Sequence, residues 1–537
     1  MKNHQIILFS IVSGVLLALS WPVNGFPGLL FVSFIPLLWI EDHILKHRAK
    51  YSKVSILLFA LPGFAIWNIL TTYWIGYSTL FGLSMAIMVN TLLMSLVFLV
   101  YHLVRRNLPN NRHGYFILVF LWIAFEYFHL DWDLSWPWLN LGNGFSSWHK
   151  WVQWYEYTGV LGGSFWVLSI NILLYKTYGN FKQNEKRSFY KHLIFSIVGI
   201  LLPVFISLFM YHSYEEKNNP IDVVIVQPNM DPYHEQYELS AREVVGEITN
   251  LTDQKMDSNV QFIVAPESII QEAPLWETNL WDSESLNLLA DYIKIHPNVS
   301  LIIGASTYYY FEEGEKLSLA AREFTDAPNK YYEAYNTSIF IDSTQQFQLY
   351  HKSKLTPGVE QMPFRKLFKN IEKYALDLGG TVGTLGIDSI RKPFTTKTGD
   401  RVAPVICYES VYGEFVAGFV RNGAQAIFII TNDGWWKNTP GHKQHLSFAS
   451  LRAIETRRSI ARSANTGVSA FVNQRGDIQQ ATNYWEADVI RQNIHLNEKL
   501  TFYVKYGDYL GRTSLFASLL LVLIAIAQAM KNRGKLA

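Results

Sequence analysis

Seven apolar runs of near membrane-spanning length crowd the first 212 residues, at 5–21, 27–40, 55–75, 79–104, 115–128, 158–175 and 193–212, and an eighth follows at 513–530. A helix needs about 20 apolar residues to cross the hydrocarbon core of a bilayer, so these segments read as transmembrane helices. Between the seventh and eighth runs the chain changes character and becomes polar enough for water. The overall figures, 49% hydrophobic and 17% charged residues, are an average over these two materials.

The loops between the runs alternate in lysine and arginine, which stay on the cytoplasmic side of a membrane. Lys46, Arg48, Lys50 and Lys53 follow the second run, Arg105, Arg106 and Arg112 the fourth, and Lys176, Lys182, Lys186, Arg187 and Lys191 the sixth. The loops after the first and third runs carry none, and Lys150 stands alone after the fifth. With Lys2 inside, seven crossings place residues 213–510 outside, and the eighth returns Lys531, Arg533 and Lys535 to the cytoplasm. The first run is expected to be retained, because the bulky Ser20-Trp21-Pro22 is no signal-peptidase site. Asn68, Asn90 and Glu126 lie within the spans, where polar groups are costly; the two asparagines are expected to bond helix to helix.

Residues 221–495 alternate short β-branched runs with polar, helix-like stretches, the pattern of an α/β domain. Strands are predicted at 222–227, 260–265, 299–304, 337–341, 347–350, 402–406, 426–431 and 468–473, with helices at 240–256, 281–295 and 443–463. The expected domains are 1–212 (membrane), 213–510 (outside the membrane) and 511–537 (a last helix and short tail). A net charge of +2 and the lack of a basic run in this region give no footprint for nucleic acid.

Sites in α/β folds collect at the C-terminal ends of strands. Three predicted strand ends carry chemistry: Val264-Ala-Pro-Glu267, Tyr350-His-Lys352 and Ile406-Cys407. Cys407 is the only cysteine, so it cannot form an intrachain disulfide, and packing or chemistry must account for it. Singly, the glutamate and lysine read as solvated loop residues and the cysteine as core. Together they supply a base, a cation and a nucleophile, the parts that acyl transfer requires. A turn or helix beginning at Tyr408 would add a backbone amide as a second oxyanion donor. His442-x-x-His445 has helical metal-ligand spacing but only two candidate ligands, so no zinc site is expected there. Gly379-Gly-Thr-Val-Gly-Thr-Leu-Gly386 lacks the Gly-Lys-Ser/Thr of a phosphate loop and reads as a connector. Asp433 and Arg458 suggest a structural salt bridge or a contact to substrate.

Glu267 in Ala-Pro-Glu, Lys352 in Tyr350-His-Lys-Ser-Lys-Leu-Thr-Pro-Gly-Val-Glu360 and Cys407 in Cys-Tyr-Glu resemble the Glu-Lys-Cys triad of the nitrilase superfamily. Thr431-Asn-Asp-Gly-Trp-Trp436 and Arg458-Ser-Ile-Ala-Arg-Ser-Ala-Asn-Thr-Gly467 extend the likeness over 221–495. Such a domain between membrane helices, with Trp136-Pro-Trp-Leu139, Gly142 and Gln227-Pro-Asn229, resembles the apolipoprotein N-acyltransferase family.

The resemblance implies an α-helical membrane domain of about eight transmembrane helices joined to an α-β-β-α nitrilase-like sandwich. It also implies a multi-pass protein of a bacterial inner membrane, with its catalytic domain facing the periplasm. The implied reaction is ping-pong and needs no metal or diffusible cofactor. Cys407 takes an acyl chain from a phospholipid, typically phosphatidylethanolamine, as a thioester, and the α-amino group of a lipoprotein's diacylglyceryl-cysteine then accepts it. Glu267 is implied as general base, Lys352 as oxyanion stabiliser and Glu360 as a carboxylate orienting the lysine or the substrate. Tyr408 and Glu409 fall on functionally sensitive positions. The loop departs from the family's Val-Pro-Phe-Gly-Glu as Thr356-Pro-Gly-Val-Glu360, and Tyr237 takes the place of a functional tryptophan, with Tyr233 as the other candidate. Aromatic pairs such as Trp435-Trp436, with Leu275-Trp276, Tyr308–Phe311 and Met362–Phe364, read as arms for the membrane interface or as core. A monomer is expected, since both substrates arrive laterally. A membrane-tethered amidase with the same triad is the rival reading, and a lipid-binding protein with a degenerate site a third.

Overall fold

The computed structural model describes residues 2–108, 114–364 and 384–534, with main chain only at 533 and 534. Arg112, Lys535 and the stretch 379–383 of the glycine-rich connector lie outside the described residues, and so does the side chain of Arg533. The chain divides into two units, Met1–Ser213 with Tyr506–Ala537, and Tyr214–Lys505.

The first unit is helical. Among the described residues six helices are long and apolar enough to cross a membrane: Pro27–Lys46, Ser55–Tyr77, Leu80–Asn107, Val160–Lys182, Lys186–Ser213 and Tyr509–Asn532. The runs predicted at 5–21 and 115–128 form shorter helices, Asn3–Leu19 and Phe116–Phe128. Length alone therefore supports six spans, where about eight were expected. Leu201, Phe205 and Phe209 on Lys186–Ser213 are 61%, 69% and 67% exposed, a face that water would penalise and hydrocarbon would not.

The three polar residues expected inside the spans each make hydrogen bonds. Asn90 accepts from His129 Nε2 at 2.9 Å, and Asn68 bonds its own helix through the Phe64 carbonyl (2.9 Å) and reaches Met94 Sδ at 3.6 Å. Glu126 accepts from Trp122 Nε1 at 3.0 Å and from the Leu141 amide at 2.8 Å, tying its helix to the segment that follows Trp138. A further buried cluster was not foreseen: Glu41 contacts His102 Nδ1 at 2.9 Å and pairs with Arg105, which also reaches Asp42 at 2.6 Å.

The second unit is an α-β-β-α sandwich. Its strands are β1 (Pro220–Gln227), β2 (Phe262–Val264), β3 (Ser300–Phe311), β4 (Arg322–Glu323), β5 (Tyr331–Ile341), β6 (Gln348–His351), β7 (Phe394–Thr395), β8 (Arg401–Ile406), β9 (Ala426–Thr431), β10 (Ile460–Ala464), β11 (Ala470–Val472), β12 (Ile478–Gln479) and β13 (Asp488–His495). One sheet runs β13-β1-β2-β3-β5-β4 with β6 paired to β5, and the other runs β12-β11-β10-β9-β8-β7. In each sheet three central strands are parallel, β1-β2-β3 and β8-β9-β10.

Parallel strands buried on both faces carry continuous apolar runs, and period two then assigns each residue a side. Val224, Val226 and Ile263 face a cluster built with Val244, Ile248 and Leu289 of helices α1 (Ala241–Asp253) and α2 (Glu284–Ile295). Phe262, next to Ile263, points the other way and meets Phe428 of the opposite sheet edge-on at 5.1 Å. Ser240 caps α1 in a reciprocal box with Glu243, which is why that helix starts where it does.

The helix predicted at 443–463 is two elements. Helix α3 spans Pro440–Thr456 and ends at Arg457, which takes a left-handed conformation (φ 50°), and β10 follows. Pairing with β9 and β11 overrides the weak β tendency of Ile460-Ala-Arg-Ser-Ala464. Tyr308–Phe311 lies in β3, paired with Tyr331–Ala334 of β5, while Leu275 is buried and Trp276 bridges to Tyr308, so both segments are fixed against the sheet. Replacing Phe262 by alanine is expected to cost the second unit about 3–5 kcal/mol, read as a lower unfolding midpoint in detergent.

Candidate active site

Glu267, Lys352 and Cys407 stand just past β2, β6 and β8, so both sheets contribute to one site. Glu267 opens a tight turn in which the next residue, Ser268, adopts φ 49°. Gly304 of β3 allows it: a Cβ there would sit 2.4 Å from the Ser268 nitrogen and 2.6 Å from the Glu267 Cα. Cys407 itself has φ 48° and begins a short helical segment, Cys407–Val411.

The Lys352 ammonium is 2.9 Å from Glu267 Oε1 and 2.8 Å from Glu360 Oε1. Asn336 Nδ2 donates to the same two oxygens at 2.8 and 3.0 Å, and the Asn432 amide donates to Glu267 Oε2 at 3.0 Å. Lys352 and Glu267 are 2% and 5% exposed, a depth at which a charge must be paired. Burial alone would pull the ammonium down, but Glu267, Glu360 and the nearby thiol outweigh it and hold it well above its ordinary value. Glu360 is pushed up by burial and pulled down further by Lys352, for a net lowering.

The Cys407 thiol is raised well above its usual range. Burial is the main cause and Glu267 adds to it, while Lys352 and a hydrogen bond with Thr431 oppose. Cys407 therefore favours the thiol form, beside the Glu267 carboxyl group and a fixed cation. Such a set can pass a proton from sulfur to carboxylate and stabilise the oxyanion of a tetrahedral adduct.

Glu409 lies beneath this set, fully buried. Its Oε1 accepts from the Tyr350 hydroxyl and the Ser353 amide, both at 2.6 Å, and its Oε2 accepts from the Ile406 amide at 2.8 Å. One carboxyl thus stitches the strand end that bears Lys352 to the one that bears Cys407. Tyr408 is buried with its ring edge-on to Tyr412 at 5.2 Å. Tyr237 is half exposed, and its neighbour Tyr233 meets Trp435 edge-on at 5.1 Å.

The ion pair suggested for Asp433 has a different partner. Arg458 donates to the Ala424 and Lys499 carbonyls, whereas Asp433 pairs with Arg462 and with His445. Of the two histidines only His445 joins this buried network, where it also reaches the Cys407 carbonyl, whereas His442 stacks on Tyr484 with ring centroids 4.3 Å apart. Asn336, Asn432 and Arg462 were not singled out from sequence. Asn432 and Arg462 lie inside the two motifs quoted above, and the signal at Asn336 is a carboxamide beside an apolar strand.

Residues 222–498, just over half of the chain, match the carbon-nitrogen hydrolase family, and residues 13–173 match the apolipoprotein N-acyltransferase N-terminal domain. The chain belongs to the apolipoprotein N-acyltransferase branch of the carbon-nitrogen hydrolase family. Curated relatives named apolipoprotein N-acyltransferase include one from Chlorobaculum tepidum, 28% identical over 544 residues, covering 96% of this chain and 95% of the relative. Another, from Geobacter metallireducens, is 25% identical and covers 93% and 91%. Among solved structures, a carbon-nitrogen hydrolase from Helicobacter pylori aligns over 55% of this chain and 93% of its own, at 12% identity and a TM-score of 0.36.

Burial pushes the Glu409 carboxyl up to about 7, against its hydrogen bonds from Ser353, Tyr350 and Ile406. A carboxyl raised on folding stabilises the fold while protonated; that contribution is whole below its ordinary 4.5 and is lost as pH climbs through about 7. The drop in melting temperature between about pH 5 and about pH 8 is expected to be smaller in Glu409→Gln than in the wild type. In a second test, Gly304→Ala is expected to displace the Glu267 turn and lower acyl transfer on the order of 10²-fold, measured with a synthetic lipopeptide acceptor.

Proposed function

We propose that this N-acyltransferase carries its acyl group on Cys407, taking it from a phospholipid and passing it to the α-amino group of a lipoprotein's N-terminal diacylglyceryl-cysteine. The observation that carries the reading is the buried Lys352 ammonium held by Glu267 and Glu360 in electrostatic contact with the chain's one thiol.

Glu267 takes the thiol proton as sulfur attacks the ester carbonyl, and the Lys352 charge stabilises the oxyanion that forms. Collapse breaks the ester C–O bond, Glu267 returns the proton to the departing lysophospholipid oxygen, and a thioester remains. The acceptor amine then attacks the thioester, gives a proton to Glu267, and collapse breaks the C–S bond to leave an amide and the thiol. Glu360 and Asn336 hold the lysine and the base in register; Glu409 holds the two strand ends; Tyr408 and the Tyr233, Tyr237 and Trp435 aromatics are proposed to shape the path to the thiol.

The donor is proposed to be phosphatidylethanolamine, the enzyme a monomer of a bacterial inner membrane, and the catalytic unit periplasmic. The alternation of lysine and arginine among the loops supports that orientation. Drawing a long acyl chain through water costs about 0.8 kcal/mol per methylene, so substrates anchored in lipid favour an enzyme that is also in lipid.

Incubation with phosphatidylethanolamine is expected to add one acyl mass to Cys407, discharged by a diacylglyceryl lipopeptide. Lipopeptide acylation without that adduct, or full activity in Cys407→Ser, would overturn the mechanism. Glu267→Gln separates base from electrostatics: acyl transfer is expected to fall on the order of 10²- to 10⁴-fold. Because Glu267 raises the thiol, the same change should speed iodoacetamide alkylation of Cys407 at neutral pH.

A further inference from the structure

Behind the nucleophile lies a chain of buried polar groups that the transfer chemistry above does not use. Arg462, Asp433 and His445 are each no more than 1% exposed. Asp433 Oδ2 accepts from Arg462 at 2.5 Å, and its Oδ1 meets His445 Nδ1 at 3.0 Å and accepts from the Thr431 hydroxyl at 2.9 Å. Burial would raise the Asp433 carboxyl, but Arg462 and His445 hold it far below the usual carboxylate range.

The far nitrogen of the imidazole, Nε2, is 3.1 Å from the Cys407 carbonyl oxygen and 2.9 Å from Ser410 Oγ, and the Ser410 hydroxyl donates to the same carbonyl at 2.7 Å. A carbonyl oxygen only accepts, so whatever Nδ1 shares with Asp433 and with Arg462 (3.2 Å), Nε2 must carry a proton for this contact to hold. Packing of Trp436 against the ring, centroids 5.7 Å apart, fixes its plane.

Cys407 needs such a hold. A residue with a Cβ at φ 48° is strained by roughly 1–2 kcal/mol and keeps that conformation only where its surroundings over-determine it. Two donors on its carbonyl do so from the main-chain side, and Thr431, bonded to Asp433, reaches the thiol from the other. We propose that His445, held by Asp433 and Arg462, is a positioning residue that anchors the Cys407 carbonyl and so aims the thiol between Glu267 and Lys352. The inference rests on Cys407 being the acyl carrier.

Single-turnover acylation of the full-length protein by phosphatidylethanolamine in detergent, read by mass spectrometry on Cys407, tests it in the wild type, His445→Leu, His445→Gln and Ser410→Ala. Glutamine keeps a donor near the place of Nε2, and leucine keeps only bulk. Thioester formation is expected to slow on the order of 10²-fold in the leucine variant with half-saturation by donor unchanged, and to stay within about tenfold in the glutamine and alanine variants. Wild-type rates in the leucine variant, or equal loss with leucine and glutamine, would overturn the proposal. Should the leucine protein fail to fold, the other two decide: rates within about tenfold support it, and a glutamine loss on the order of 10²-fold overturns it. A wild type that forms no thioester would instead remove the acyl-carrier reading, and the leucine-to-glutamine contrast would still be readable in lipopeptide acylation.

Discussion

A lysine ammonium at 2% exposure cannot exist alone, and the catalytic unit is arranged around that requirement. Removing one partner from a buried ion pair costs roughly 3–5 kcal/mol, so neither Glu267 nor Glu360 can be lost from beside Lys352 without a large penalty. Each carboxylate comes from a different place in the chain, one after β2 and one from the turn after β6, and Asn336 of β5 cross-links them. The charge proposed to stabilise an oxyanion is thus also what draws these strand ends together.

Cys407 arrives from the second sheet and is held by two further buried polar systems. Glu409 binds the Cys407 strand end to the Lys352 strand end through main-chain amides, so a shift of one sheet against the other would leave several donors unsatisfied. The Asp433 system holds the carbonyl of Cys407 itself. In both, a carboxyl group far from solvent takes the role that packing alone cannot perform, because dispersion contacts fix volume and hydrogen bonds fix direction.

Much of this was legible in the residues. Strong β-branched runs such as Val402–Ile406 and Ala426–Thr431 announced β8 and β9, and the residues expected at three strand ends do stand there, with Lys352 against Glu267. Legibility failed where tertiary context overrode local preference. Ile460–Ala464 continues a helical pattern and becomes a strand because β9 and β11 are there to pair with it, and the tyrosine-rich segment 308–311 looked like a free arm until its partner at 331–334 paired with it. Asp433 was assigned a plausible arginine four residues from the real one, since nothing along a chain says which guanidinium will face a given carboxylate.

By itself the sequence determined which parts of the chain belong in hydrocarbon and which in water, which strands carry the reactive groups, and the family that uses them. Those properties depend on composition and short-range period, which are written along the chain. Only the tertiary structure decided that Lys352 is shared by two carboxylates, that Glu409 and His445 hold the main chain around Cys407, and that Asn336 and Asn432 complete the base. Those contacts join residues as far as 165 positions apart, and their direction and distance exist only once two sheets have packed face to face.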